Sequence, residues 1–116
     1  MSAPSGTGTN VPAPTPRAPQ DIAAALRRAI LDHPAVRRLD GGTFGVIATY
    51  APGQRLIGVR VIGENQPVEI GVVLGLDRPL PEVADELRTV ARRVVGDVRV
   101  DVTVCDVTPP GPSVRS

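Results

Sequence analysis

The sequence contains very few of the side chains from which enzymes and metalloproteins build their sites. Its 116 residues include one cysteine, one histidine, one tyrosine and one phenylalanine, with no tryptophan and no lysine. A single cysteine excludes a disulfide within the chain, and no cysteines and histidines have the spacing of a metal site. We therefore predict a non-enzymatic protein with no catalytic residues, no cofactor and no bound metal.

The alternative of a small enzyme depends on His33 or Cys105. A general base or a nucleophile needs a partner within hydrogen-bond reach. His33 has Asp32 and Asp40 near it in sequence, but it precedes a proline at a helix end, which favours a partly exposed structural histidine. Cys105 lies on a predicted strand beside Asp106, whose negative charge does not favour a thiolate. We predict structural roles for both residues.

The sequence also lacks long apolar runs and an excess of charge of one sign. No window approaches the roughly 18 apolar residues of a membrane span, and the N-terminus has no basic region followed by an apolar run. The net charge is +1, which gives no general attraction to nucleic acid or to an anionic membrane. We expect a cytoplasmic protein without a direct membrane span.

The two ends of the chain have the composition of disordered tails. Proline, alanine, serine and threonine make up most of residues 1–19, and residues 109–116 have the same character. Such segments bury too little apolar surface to offset the entropy lost on ordering. We predict a single folded domain over residues 20–108, flanked by disordered tails at 1–19 and 109–116.

Two segments have the apolar spacing of helices. The first begins near Gln20, with Asp21 as its cap, and ends before Pro34. The second extends over Pro81–Val95, with Gly96 as its C-cap. Each has one apolar face, formed by Ile22, Leu26, Ala29 and Ile30 in the first helix and by Val83, Leu87, Val90 and Val94 in the second.

Four segments are predicted to be strands: Thr43–Tyr50, Ile57–Ile62, Val68–Leu74 and Val98–Val107. Short loops join the first three, which is typical of an antiparallel meander. The last two flank the second helix and should lie parallel. The order α-β-β-β-α-β predicts an α+β fold, a two-layer α/β sandwich with two helices on one face of a mixed sheet. An open edge of such a sheet would favour self-association by strand addition.

Every basic residue is an arginine, and three pairs of arginines are adjacent in sequence. We predict a possible interaction surface, provided that the helix ends converge, consisting of Arg27, Arg28, Arg37, Arg38, Arg92 and Arg93. Such a surface would bind phosphates, and it is the basis of an alternative function as a small nucleic-acid-binding module. The shortage of aromatic residues weakens that alternative, because base stacking has only Phe44 and Tyr50 to use.

Five short segments follow one another in an order found in one known family. They are His33-Pro34-Ala35-Val36, Gly58-Val59-Arg60-Val61, Val68–Gly75, Leu80–Arg88 and Val104–Val107. In this order they resemble the alkaline shock protein 23 family of bacterial envelope stress response proteins, and the similarity extends over about residues 21–107. None of these segments is a catalytic signature.

The resemblance implies a non-enzymatic cytoplasmic scaffold of the envelope stress response. Members of that family can be abundant and self-associating, and they can be recruited to the membrane by a partner protein. We therefore expect self-association or a membrane-associated partner protein, with nucleic acid as the alternative partner. The family supplies no catalytic residues to assign.

Overall fold

The computed structural model describes residues 17–109, so the tails predicted at 1–19 and 109–116 lie almost entirely outside the described residues. Two helices and a mixed sheet confirm the predicted α+β fold. The elements are α1 (Pro19–Leu31), β1 (Val36–Leu39), β2 (Ala48–Ala51), β3 (Gln54–Ile57), β4 (Val59–Val61), β5 (Val68–Gly75), α2 (Leu80–Val95) and β6 (Val100–Thr108). The order agrees with the prediction once the short strands β1 and β3 are added and two predicted strands are shortened.

Helix α1 begins at Pro19, where the fixed φ of proline suits the first helical position. The prediction that Asp21 caps this helix is wrong, because Ala18 is the N-cap and no side chain caps the helix. Asp21 lies in the first turn, where its charge still complements the helix dipole. In α2 the predicted C-cap is confirmed: Gly96 has a φ of 90°, which glycine adopts without a steric cost.

The two helices are antiparallel. Near the start of α1, Arg17 Nη2 donates to the carbonyl of Val94 at the end of α2, at 3.0 Å. Just after the end of α1, His33 Nε2 lies 2.7 Å from Oε1 of Glu86 in the first half of α2. The C-terminal end of each helix therefore lies beside the N-terminal end of the other.

Strand β5 is the centre of the four-stranded sheet. It pairs with β6 in parallel, as predicted for strands joined by a helix, and with β1 and β4 antiparallel. Strands β1 and β4 share one edge of β5: β1 pairs with its C-terminal half and β4 with its N-terminal half. Strand β6 occupies the other edge alone.

Both helices pack on one face of this sheet. Alternate residues of β5 point toward them, since successive side chains of a strand face opposite sides. The buried core combines the apolar faces of the helices with these strand positions: Ile22, Ala23, Leu26, Ile30, Val59, Val61, Val68, Ile70, Val72, Leu74, Val83, Leu87, Ala91 and Val100. The apolar spacing read from the sequence thus identifies most of the core.

Two glycines allow β1 and β4 to meet at the middle of β5. The amide of Gly71 donates to the carbonyl of Gly58 at 2.9 Å, and the amide of Asp40 donates to the carbonyl of Gly71 at 2.9 Å. Gly58 has a φ of 92° and separates β3 from β4, so the strand predicted at Ile57–Ile62 is reduced to Val59–Val61, and β3 begins earlier, at Gln54. The left-handed conformation at Gly58 is the physical reason for this division.

The strand predicted at Thr43–Tyr50 is wrong over its first half. Residues 41–47 form a loop instead, because Gly42 and Gly45 both have positive φ values and turn the chain. The amide of Gly45 donates to the carbonyl of Gly42 at 3.1 Å, which closes a turn. At the end of this loop, Ile47 is buried against Gly71 on the sheet face opposite the helices.

The outer side of β4 is covered by the hairpin of β2 and β3. The buried hydroxyl of Thr49 on β2 donates to the carbonyl of Val59 at 2.8 Å and accepts from the amide of Val61 at 3.0 Å. These are the backbone groups that β4 turns away from β5, so one side chain satisfies both of them. This edge of the sheet is closed to another strand at β4.

Candidate functional site

The structure does not bring the six arginines of the predicted surface together. Because the helices are antiparallel, Arg27 and Arg28 lie toward the opposite end of the helical layer from Arg92 and Arg93. Arg27 is partly buried and donates from Nε to the carbonyl of Ile57 at 3.0 Å. The helix ends on which the predicted surface depended therefore do not converge.

The third pair lies on β1, where a bulge places Arg37 between two paired residues. Arg37 Nη2 lies 2.7 Å from a carboxylate oxygen of Asp77, and its Nε lies 3.4 Å from the hydroxyl of Thr108. Arg38 lies 3.9 Å from Asp40. Arg37 therefore links β1 to the end of β6 and to the loop after β5.

His33 is part of a cluster that the sequence did not reveal. The residue is half-buried, as predicted, with a side chain that is only 8% exposed. The amide of Ala35 donates to Nδ1 at 3.1 Å, so Nε2 carries the hydrogen that binds Glu86. Glu86 also forms a two-pronged ion pair with Arg78, which in turn binds Glu82. Glu86 and Arg78 lie more than 40 residues from His33 in the chain, so no local pattern indicates this cluster.

The contacts in this cluster suit a structural role and not acid–base catalysis. Hydrogen bonds from Arg78, and to a lesser extent from His33, lower the pKa of Glu86 to about 2. Hydrogen bonds to Glu86 and then to Glu82 raise the pKa of Arg78. A carboxylate with so low a pKa is a weak base, and Nδ1 of His33 is already engaged. These contacts join the end of α1 to the start of α2.

We expect the Glu86→Gln substitution to reduce the acid sensitivity of the fold. Folding lowers the pKa of Glu86 from 4.5 to about 2. The ionised carboxylate therefore contributes fully to the free energy of unfolding above about pH 4.5, and this contribution is lost as the pH falls through about 2. The wild type should therefore be more stable than the variant at neutral pH, and the difference should shrink as pH falls through this range. Urea denaturation at a series of pH values measures it.

Glu82→Gln is the matched control, because Glu82 binds Arg78 but not His33. The lowered pKa of Glu86 would be contradicted if wild type and Glu86→Gln differed in unfolding free energy by the same amount from pH 7 to pH 2.

Cys105 lies at a bulge in β6, where Val72 and Val73 of β5 pair with Val104 and Asp106. With Asp40, Gly42, Thr43, Thr103 and Val104 it lines an open cleft of about 340 Å³. Burial, followed by the negative charge of Asp40, raises the pKa of the Cys105 thiol. A raised pKa keeps the sulfur protonated and therefore weakly nucleophilic. Among residues 17–109, no group of three or more histidine, cysteine or acidic residues could hold a metal ion.

Among residues 17–109, the outer edge of β6 is the longest strand edge that lacks a neighbouring strand. Within the described part of the chain, β6 is nine residues long and pairs only with β5. The carbonyl of Arg99 accepts from the amide of Val68 at 3.0 Å, so the alternate residues Arg99, Asp101 and Thr103 turn their backbone groups toward β5. The N–H and C=O groups of Val100, Val102 and Val104 consequently point away from the sheet.

A second exposed surface lies on the β2–β3 hairpin and the loop before it. Phe44 and Tyr50, the only aromatic residues of the chain, are 87% and 71% exposed, and Val46 is 65% exposed. Arg55 pairs with Tyr50 across the hairpin, and its guanidinium lies about 4 Å from where a side chain on Gly45 would begin. Aromatic side chains usually lie in the core, whereas both of these are exposed.

Neither helix within residues 17–109 has the length and apolar character needed to cross a membrane. Comparison of the chain with protein-family models, with curated proteins and with solved structures found no match. The resemblance to the alkaline shock protein 23 family therefore stays a prediction from the sequence.

Proposed function

We propose that this protein is a non-enzymatic scaffold that acts by self-association through the outer edge of β6. The resemblance to the alkaline shock protein 23 family supports the same function and implies a cytoplasmic protein of the envelope stress response. A membrane-associated partner protein, the other binding partner that the resemblance implies, would use the same exposed strand.

The observation that carries this proposal is the contrast between the two edges of the sheet. On one edge, β1 and β4 are short and the hydroxyl of Thr49 occupies the outward backbone groups of β4. On the other edge, three outward valines of β6 have no backbone partner within residues 17–109. An edge strand with free backbone groups is a template for another strand, and short length is one of the ways in which proteins block such edges.

The proposal predicts association that increases with concentration and depends on the backbone of β6. Because the amide of Val102 points away from β5, Val102→Pro removes a donor needed by an added strand without removing a hydrogen bond within the sheet. Val102→Ala is the matched control, since it loses valine packing but keeps the amide. Size-exclusion chromatography with light scattering should show growth of the wild type and Val102→Ala with concentration, and a monomeric Val102→Pro.

Far-ultraviolet circular dichroism establishes that Val102→Pro is folded before its mass is compared with that of the control. A wild-type protein that stayed monomeric at every concentration would refute the proposal. Association of a folded Val102→Pro variant to the same extent as the wild type would refute it as well.

A second candidate function, single-stranded nucleic-acid binding, is favoured by the exposure of Phe44 and Tyr50 beside Arg55. Aromatic side chains stack on bases, which contributes about 1–3 kcal/mol per base, and arginine adds charge that makes binding sensitive to salt. Fluorescence anisotropy with a labelled RNA oligonucleotide tests it. Binding that weakens with added salt and with Tyr50→Ala would support this candidate, and no binding at low salt would remove it.

A further inference from the structure

We infer that β6 pairs antiparallel with β6 of a second copy, about a twofold axis through Val102, to give a closed dimer. This inference rests on the proposed function and adds the register and the stoichiometry. It depends on three observations: the direction of the backbone groups of β6, the charges along that strand, and the bulge at which its regular pairing ends.

The backbone groups restrict the possible registers. Antiparallel strands exchange hydrogen bonds only between residues whose N–H and C=O groups face each other. The outward residues are Val100, Val102 and Val104, so a productive register places these valines opposite one another. With Val102 opposite its own copy, Val100 lies opposite Val104 on both sides of the axis, and all three outward valines are used.

The two neighbouring registers are less favourable. A register centred on Asp101 places two aspartates directly opposite each other, and like charges in that position destabilise a pair of strands. A register centred on Thr103 places Val100 opposite Asp106, which lies beyond the bulge, so that pair is lost. In the register centred on Val102, Asp101 lies opposite Thr103 of the second copy, whose hydroxyl can donate to the carboxylate.

The strand itself limits assembly to two copies. Beyond the bulge, the side chain of Asp106 accepts a hydrogen bond from the amide of Val107 at 2.8 Å. This contact occupies an amide that an added strand would otherwise use. Because a twofold interface uses the same surface of both copies, it closes on itself. On the opposite edge of the sheet, Thr49 covers the outward groups of β4, so strand addition does not continue there.

Disulfide trapping between two variants tests the register. Both variants carry Cys105→Ser, which removes the natural thiol. One also carries Asp101→Cys and the other Thr103→Cys, and both positions lie on the sheet face opposite the helices. In the proposed register residues 101 and 103 of different copies form a non-hydrogen-bonded pair, with Cα atoms about 4.5 Å apart, which is within the range that a disulfide bridges. We expect mild oxidation of a mixture of the two variants to give mainly the mixed disulfide dimer.

The outcomes separate this inference from the proposed function. Mainly Thr103→Cys or mainly Asp101→Cys homodimers would overturn the register while leaving assembly through β6 intact. Association without any of these disulfides would overturn pairing through β6. A monomer at every concentration would overturn both, and particles that grow beyond two copies would overturn the closed dimer.

Charge substitutions at Thr103 test the register independently, in the full chain with its natural cysteine. Thr103→Asp places a carboxylate opposite Asp101 of the second copy and should weaken the dimer by about 3- to 10-fold, whereas Thr103→Arg should strengthen it. Opposite signs of the two effects on the dissociation constant support the register centred on Val102. Weakening by both substitutions would overturn it. In a register centred on Thr103 the substituted residue would lie opposite its own copy, and two like charges would repel whichever their sign.

Discussion

The Gly71→Ala substitution is expected to destabilise the domain by about 3 kcal/mol or more, at or above the upper end of the usual cost of overpacking. A methyl group on Gly71 would lie 2.1 Å from the carbonyl oxygen of Asp40, 3.1 Å from Ile47 Cδ1 and 3.2 Å from the sulfur of Cys105. The nearest of these atoms belongs to the backbone and cannot rotate away. The amide of Asp40 also donates to the carbonyl of Gly71, so relief of the contact would pull β1 from the sheet.

Urea denaturation of Gly71→Ala and Gly63→Ala measures this effect. Gly63 is the matched control, because its new methyl group would lie 4.0 Å from the flexible side chain of Gln66. We expect the control to remain close to wild type in unfolding free energy. Equal stability of the two variants would mean that β1 and β4 do not meet at Gly71 as described.

The second large effect is expected for Gly58→Ala. Gly58 has a φ of 92°, and a methyl group there would lie 2.4 Å from Cβ of Leu39 and 3.1 Å from the amide nitrogen of Asp40. The left-handed backbone destabilises the variant by about 1–2 kcal/mol, since the residue is no longer glycine. The contact with Leu39 adds about 1–3 kcal/mol, by analogy with overpacked cores.

Gly53→Ala separates the two costs. Gly53 also has a positive φ, 75°, but nothing lies within 4 Å of its new methyl group. We therefore expect Gly53→Ala to show the backbone cost alone and Gly58→Ala to show both, in thermal and in urea unfolding. A Gly58→Ala variant no less stable than Gly53→Ala would contradict the close approach of β1 to Gly58.

Local patterns predicted the second half of the domain well. The apolar run of β5, the amphipathic α2 with its C-cap Gly96, and the alternating β6 all lie within one or two residues of their predicted positions. Each depends on a periodicity or on one glycine, and both act over a few residues. The parallel pairing of β5 and β6 also follows from local information, because a helix joins them.

The region between α1 and β5 was predicted less accurately, and the reason is steric. In the segment predicted as the strand Thr43–Tyr50, apolar residues alternate, but Gly42 and Gly45 take positive φ values that bend it into a loop. A glycine permits such a conformation without requiring it. Whether a glycine adopts a positive φ depends on the packing around it, and here the loop conformation buries Ile47 against Gly71.

For the candidate site, the sequence by itself determined which residues could take part, and only the tertiary structure decided how they are placed. The shortage of histidine, cysteine and aromatic residues is a property of composition, and so is the alternation that makes β6 a strand. That β6 lies at an edge, that the opposite edge is covered by Thr49, and that the arginine pairs lie apart depend on pairings between segments distant in the chain. Such pairings are selected by packing of the whole domain, since no local pattern specifies which side of a strand another strand occupies.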